Sequence, residues 1–256
     1  MQNKLIDEIE PIISQTFNHF HSIKESELVV KKSIPILFFG NIFDYQSSPL
    51  KIVTVALNPS DKEFSETRFD THNGVLENPH RYLKTLCDYF KLNPYSRWFN
   101  NYEKLLQHLG ASYYPSDKRP NFPLNYESKI TNCAIHTDIC SPIATSKTWS
   151  KLLSKSEKEF KYHLQSNGEL IWANLINCLK PDLILLSGAK RMQEFFDVDW
   201  QEIKLPNNFH SSHRVSKASN KQSKIYWFSA KNTPLSFKDS QLSFLAEQVL
   251  SNKNFS

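Results

Sequence analysis

The chain has 256 residues, and its 31 Lys and Arg against 26 Asp and Glu give a formal net charge of +5. This length can bury one sizeable core, so we expect a single domain over residues 1–256 with an N-terminal helical extension at residues 1–34. The sequence has no long uncharged apolar run, and acidic residues stand where a secretion signal would be basic and apolar. We therefore expect a cytoplasmic protein with no membrane partner, and no obligate protein partner is evident.

Several classes of enzyme are excluded by the motifs that the sequence lacks. The chain has five glycines and contains neither G-x-G-x-x-G nor G-x-x-x-x-G-K-[ST], so a glycine-rich phosphate loop is not expected. It also lacks H-E-x-x-H and G-x-S-x-G, the patterns of zinc peptidases and serine hydrolases. We expect no metal and no cofactor. The cysteines form no C-x-x-C pair and are expected to be free thiols: Cys87, Cys133, Cys140 and Cys178.

In the first half of the chain, apolar spacing predicts a helix over residues 3–22, which Pro11 could start or kink. A short strand or buried turn follows at 35–40. The apolar run at 52–57 predicts a buried strand that stops at Asn58-Pro59. A polar loop then leads to helices at 79–92 and 95–109, and a further loop covers 115–126.

The second half alternates strands and helices in the same way. We expect a strand at 130–139, a helix at 156–179 interrupted near Gly168, and a strand at 183–187. A helix beginning near Gly188, a strand at 225–230 and a helix at 238–250 complete the chain. Strands separated by helices predict an α/β fold: a three-layer α/β/α sandwich around a mostly parallel sheet of about four strands.

Polar residues follow three of the predicted strands. Asn58-Pro59-Ser60 ends the first, the segment from His136 to Pro142 ends the second, and Lys231-Asn232-Thr233-Pro234-Leu235-Ser236 follows the last. The carboxyl ends of parallel strands share one edge of the sheet, and ligands bind there in open α/β folds. Because proline bars Asn58 from a helix, the asparagine amide is held in a defined turn at that edge.

Two of these segments resemble motifs of the uracil-DNA glycosylase superfamily. Ala56-Leu57-Asn58-Pro59-Ser60 is similar to the first motif of the family in its G-[IM]-N-P-G form. The segment 231–236 is similar to the second motif, H-P-S-P-L-S, and matches it at Pro-Leu-Ser. The order and spacing of the strands fit the family over roughly residues 35–250. The resemblance implies the uracil-DNA glycosylase-like fold and a hydrolase that flips a base out of DNA and cuts its N-glycosidic bond.

The family match also implies roles for single residues. Asn58 would orient a water molecule through its amide oxygen, which suits an oxocarbenium-like sugar that needs no strong nucleophile. Phe69, at the more family-like distance, or Phe64 would stack on the flipped base, with Leu57 beside it. DNA would be contacted by residues of both motifs and by a basic stretch without acidic residues: Ser60, Thr233, Leu235, Ser236, Arg214 and Lys217.

Two departures from the family pattern bear on activity and specificity. Lys231 stands where the second motif has histidine, and its ammonium group could stabilise negative charge on the leaving base. The second strand offers His136 and Asp138 where uracil-excising relatives read the base with an asparagine. A carboxylate only accepts hydrogen bonds, which suits the N4 amino group of a cytosine and opposes the O4 of uracil.

The sequence therefore predicts a DNA glycosylase for a pyrimidine, either a modified cytosine, as viruses use to disguise their DNA, or uracil. A role in antiviral defence would follow from the first substrate. Two alternatives stay open at this point. One is a catalytically weak or inactive DNA-binding protein on the same fold, and the other is an N-glycosidase for free nucleosides or nucleotides.

Overall fold

The structure is a computed structural model that describes residues 2–65, 68–69, 74–93, 97–121, 129–205, 214–229 and 237–251. The chain divides into two compact units, each built from three stretches of sequence. The first comprises Met1–Phe43, Ala56–Leu92 and His136–Leu179, and the second comprises Asp44–Val55, Asn93–Ile135 and Lys180–Ser256. No helix in the described ranges is both long and apolar enough to cross a membrane.

A seven-stranded sheet is the central element of the fold. Its strands are β1 (Ile52–Ala56), β2 (Ala111–Ser112), β3 (Asn132–Asp138), β4 (Leu183–Gly188), β5 (Gln201–Glu202), β6 (Val215–Ser219) and β7 (Lys224–Ser229). Their order in the sheet is β2-β3-β1-β4-β7-β6-β5. Parallel pairs join β1 to β4, β4 to β7 and β2 to β3, whereas β6 is antiparallel to both β5 and β7. The predicted α/β class with a mostly parallel sheet is confirmed, although the sheet has more strands than the four expected.

The inner strands follow from near-continuous apolar sequence. Ile52, Val53, Val55 and the run Leu183–Leu186 are fully buried, as expected where both faces of a parallel strand are covered. The second unit also contains helices α6 (Arg97–His108) and α8 (Asp239–Leu250), which pack together. Helix α2 (Ile42–Ser47) belongs to this unit from Asp44 onward. A short 3₁₀ helix at Lys190–Phe195 takes the place of the helix predicted near Gly188.

The first unit is built on two long helices that pack against each other, α1 (Gln2–Ile23) and α7 (Lys155–Leu179). Helix α1 continues through Pro11 and buries Ile9, Ile13 and Phe20 at helical spacing. The helix predicted at 79–92 is divided at Asp88 into α4 (Pro79–Cys87) and α5 (Tyr89–Leu92), and a short α3 (Lys62–Ser65) lies in the predicted polar loop. Residues 35–40 form no strand, apart from a single bridge between Phe39 and His136.

The predicted interruption of a helix near Gly168 is wrong, because α7 runs unbroken past this residue. The glycine is required by packing. A Cβ atom at Gly168 would lie 2.1 Å from the carbonyl oxygen of Cys140 and 2.7 Å from the Cα of Ser141. Glycine therefore lets the helix approach the chain that leaves β3.

Replacing Gly168 by alanine should lower the free energy of unfolding by about 1–3 kcal/mol or more, because the added methyl group meets backbone atoms. The higher helix propensity of alanine, roughly 1 kcal/mol, offsets only part of that cost. Urea unfolding followed by circular dichroism measures the change. Ser166→Ala, at an exposed position of the same helix, is the control and should leave stability within about 0.5 kcal/mol. A stable Gly168→Ala protein would show that this close approach is not required.

Candidate functional site

The candidate site lies in the first unit, where the ends of β1 and β3 are joined by backbone hydrogen bonds. The amide of Ile139 donates to the carbonyl of Ala56 over 2.9 Å, and the amides of Cys140 and Ser141 donate to the carbonyl of Leu57 over 2.9 and 3.2 Å. Asn58 directly follows Leu57 in the chain, and Asp138 directly precedes Ile139. The two polar strand ends predicted to converge therefore lie side by side.

The side-chain amide of Asn58 is held through its nitrogen. Nδ2 donates to the carbonyl of Pro59 over 3.1 Å and to Oγ1 of Thr145 over 3.2 Å. Both of these bonds are made by the nitrogen, and Oδ1 of Asn58 accepts none from the residues that the structure describes. The half-buried amide therefore offers an unused acceptor at the edge of the sheet, as a group that orients a water molecule would.

Asp138 is a buried carboxylate with unused hydrogen-bonding capacity. The residue is 6% exposed, and neither carboxylate oxygen accepts a hydrogen bond within the described part of the chain. Nε2 of His136 lies 3.6 Å from Oδ1 of Asp138, on the same face of β3. Thr137, on the opposite face, accepts a hydrogen bond from the indole of Trp172 over 3.0 Å.

Burying an acceptor without a donor costs about 1–3 kcal/mol, and more for a charged group. An aspartate at this point would usually cap a helix or pair with a lysine or arginine of a loop. Within the described ranges Asp138 does neither. Its two enclosed oxygens thus keep hydrogen-bonding capacity that no described residue uses. His136 next to it is also buried, with its ring 5.5 Å from that of Phe39.

Four aromatic rings form a cluster beside His136. Phe39, Phe69 and Tyr89 lie with ring centroids 4.9–5.8 Å apart, and Phe64 stacks on Phe69 at 5.9 Å with an interplanar angle of 28°. Phe69 is 5% exposed and is the core of this cluster. The preference for Phe69 as the stacking residue is therefore not supported by its burial. Phe64 is half-buried and keeps accessible surface that a flipped base could use.

Sequence reasoning missed the polar contacts that hold the segment carrying Phe64. The carboxylate of Glu63, 7% exposed, accepts a hydrogen bond from the hydroxyl of Tyr89 and lies 4.0 Å from the guanidinium of Arg68. Burial, and secondarily the charge of Glu63, raise the pKa of Tyr89 far above its ordinary value, so the tyrosine stays protonated as a donor. A buried acid in a predicted polar loop has no sequence signal of its own.

Of the remaining predicted site residues, four are described by the structure and four are not. Leu57 is half-buried and acts here through its carbonyl, while Ser60 is exposed and its hydroxyl donates to Asp61 over 3.1 Å. Arg214 is exposed, and Lys217 lies in β6 opposite Tyr226 of β7. The residues of the second motif lie outside the described residues: Lys231, Thr233, Leu235 and Ser236.

No group of three or more His, Cys, Asp or Glu side chains that could hold a metal ion occurs within the described ranges. All four cysteines are free, as predicted, although only Cys140 is fully buried. Comparison with protein-family models, with curated proteins and with solved structures gave no match. The resemblance to the glycosylase superfamily thus depends on the two sequence motifs, and the arrangement of Asn58 and Asp138 is the structural observation that bears on function.

Proposed function

We propose that the protein is a DNA glycosylase that flips a pyrimidine out of DNA and hydrolyses its N-glycosidic bond, leaving an abasic site. The observation that carries the proposal is Asp138, a buried carboxylate to which no described residue donates a hydrogen bond, next to the strand end that bears Asn58. A buried acceptor that receives no hydrogen bond from the protein is suited to a ligand with a matching N–H donor. The N4 amino group of a cytosine-type base is such a donor.

The reaction we propose follows the chemistry of glycoside hydrolysis. As the C1′–N1 bond breaks, its electron pair leaves with the base and the sugar becomes oxocarbenium-like. Asn58 Oδ1 accepts a hydrogen bond from the attacking water and directs the water oxygen towards C1′. The positive charge of Lys231 stabilises the departing base, and Phe64 supports the ring of the base by stacking.

The amide of Asn58 is too weak a base to take the proton that the attacking water must lose. The carboxylate of Asp138 could take it, but its hydrogen bond to the base would occupy this group. Loss of the proton to solvent after attack is therefore the simpler course. It implies a modest rate or a base that is already a good leaving group. A cytosine with an electron-withdrawing C5 substituent fits that requirement, and removal of such a base from viral DNA would serve antiviral defence.

Incubation with DNA that contains one defined pyrimidine tests the proposal. Oligonucleotides with uracil, cytosine and C5-substituted cytosines are each treated with the protein, and released base is identified by mass spectrometry. We expect release of a cytosine-type base, with alkali-sensitive abasic sites in equal amount. Binding without release of any of these bases would favour the DNA-binding alternative. Release from free nucleosides alone would favour the small-molecule N-glycosidase.

The basic stretch predicted to face DNA forms the hairpin of β6 and β7. Lys217 and Lys224 lie on one face of this hairpin, and Lys221 is exposed at its turn. Burial lowers the pKa of Lys224. Three lysines presented by one hairpin suit contact with successive phosphates of a DNA backbone.

Replacing Lys217, Lys221 and Lys224 together by glutamine should reduce the slope of log affinity against log salt by up to about three, one for each phosphate that is no longer neutralised. Fluorescence anisotropy with labelled DNA at several salt concentrations measures the slope. Lys151, Lys155 and Lys158 are exposed in the other unit, and their replacement is the charge-matched control. An unchanged slope in the first variant would place the DNA on another surface.

A further inference from the structure

We propose that Thr145 is a positioning residue that fixes the amide of Asn58 with its oxygen, and not its nitrogen, towards the attacking water. The inference rests on the proposed function, because it concerns the group that would orient this water. Thr145 belongs to none of the motifs found in the sequence. It is 3% exposed and lies in the loop between β3 and α7.

The direction of one hydroxyl proton determines the orientation of the amide. Oγ1 of Thr145 donates to the carbonyl of Lys147 over 2.7 Å. A threonine hydroxyl has one proton, so towards Asn58 it can only accept. The atom of Asn58 that lies 3.2 Å from Oγ1 must therefore be the donor, Nδ2.

The carbonyl of Pro59 gives the same result independently. It too can only accept, and it lies 3.1 Å from the same nitrogen. A flipped amide would set Oδ1 against two oxygens, with no proton in either contact. Asn58 is thus held with both acceptors on its nitrogen side, which leaves Oδ1 for water.

The backbone of Thr145 is itself fastened to the segment that follows α1. Thr145 forms an antiparallel bridge with Val29, the amide of Val30 donates to Ala144 over 3.2 Å, and the amide of Ser146 donates to Leu28 over 2.9 Å. Residues 28–30 belong to the stretch predicted to be an N-terminal extension. They act here as a support for the loop that orients Asn58.

Thr145→Val tests the inference, because it keeps the shape of the side chain and removes the acceptor. We expect the single-turnover rate of base release to fall about tenfold or more, as is typical when a residue that orients a functional group through a hydrogen bond is removed. The affinity for DNA should not change. Thr145→Ser keeps the hydroxyl and should stay within about threefold of the wild-type rate. Thr148→Val, at an exposed position of the same loop without a side-chain capping bond, is the matched control.

Two further measurements separate this inference from the proposed function. In an Asn58→Ala background, Thr145→Val should change the rate by less than about twofold, because the group it positions is gone. The side-chain NH₂ of Asn58, followed by ¹⁵N NMR, should exchange with solvent faster in Thr145→Val than in the wild type.

A protein that releases no base from any pyrimidine-containing DNA would refute the proposed function, and the NMR measurement would still test the role of Thr145. Unchanged exchange of the Asn58 NH₂ in Thr145→Val would overturn the inference. So would full activity of that variant, or an equal loss of rate in the Asn58→Ala background.

Discussion

Replacing Asn58 by alanine should lower the rate of base release by at least about 100-fold, the usual effect of removing one positioned polar group from a transition state. The variant loses Oδ1, which accepts no hydrogen bond from the described protein residues and so can accept one from water. Single-turnover rates on DNA with the preferred base measure the effect. Affinity for DNA and the melting temperature should stay close to wild type, since the side chain contributes only two hydrogen bonds within the described part of the chain, to Pro59 and Thr145.

The control for this variant is Asn174→Ala, which removes an exposed asparagine from α7 of the same unit. It should leave the rate unchanged. A wild-type rate in Asn58→Ala would show that the water is oriented by another residue, and the role assigned to the first motif would be wrong. A loss of rate accompanied by an equal loss of DNA affinity would mean that Asn58 acts in binding.

The main strands of the fold could be predicted because their signal is local. The segments Ile52–Ala56 and Leu183–Gly188 are apolar runs bounded by polar turns, and both are buried strands in the structure. Strand β6 has no such signal. Three of the five residues in its sequence, Val-Ser-Lys-Ala-Ser, are polar, and the strand depends on pairing with β7 and β5.

Gly168 shows the opposite failure, in which packing overrides a local signal. Glycine lowers helix propensity by about 1 kcal/mol relative to alanine, and this predicts a break in the helix. The helix nevertheless continues through Gly168. The glycine lies where the backbone of Cys140 approaches the helix too closely for any side chain. Propensity describes the cost correctly but cannot show which contact offsets it.

The candidate site is predictable to the extent that it follows from the topology of the sheet. Asn58 and Asp138 are recognisable as strand ends, and parallel strands bring such ends to one edge. Thr145, Glu63 and Tyr89 carry no such signal, since each comes from a separate segment and has a role only through a side-chain partner elsewhere. Spacing alone also cannot show that Phe69 is enclosed by aromatic neighbours while Phe64 is not.

Under the proposed function, Asp138→Asn should shift base preference from a cytosine-type base towards uracil. In the wild-type protein, O4 of uracil would face a buried carboxylate, two acceptors without a proton between them, at a cost on the order of 1–3 kcal/mol or more. The amide of asparagine supplies a donor to O4 and no longer requires an N4 amino group. We expect the ratio of kcat/KM for uracil to that for the cytosine-type base to rise roughly 10- to 100-fold.

The same substitution should also raise thermal stability, which distinguishes a carboxylate kept for function from one kept for structure. The substituted amide would carry no charge into the buried site, whereas the carboxylate of Asp138 accepts no hydrogen bond from the described residues and has the imidazole of His136 beside it only at 3.6 Å, beyond hydrogen-bond distance. Asp182→Asn is the contrasting control, because Oδ2 of Asp182 accepts a hydrogen bond from the amide of Lys51 over 2.8 Å, and weakening this bond should lower stability. Strong excision of uracil by the wild-type protein, with no release of any cytosine derivative, would contradict the assignment of Asp138. A fall in melting temperature in Asp138→Asn, with base preference unchanged, would instead show that this carboxylate supports the fold.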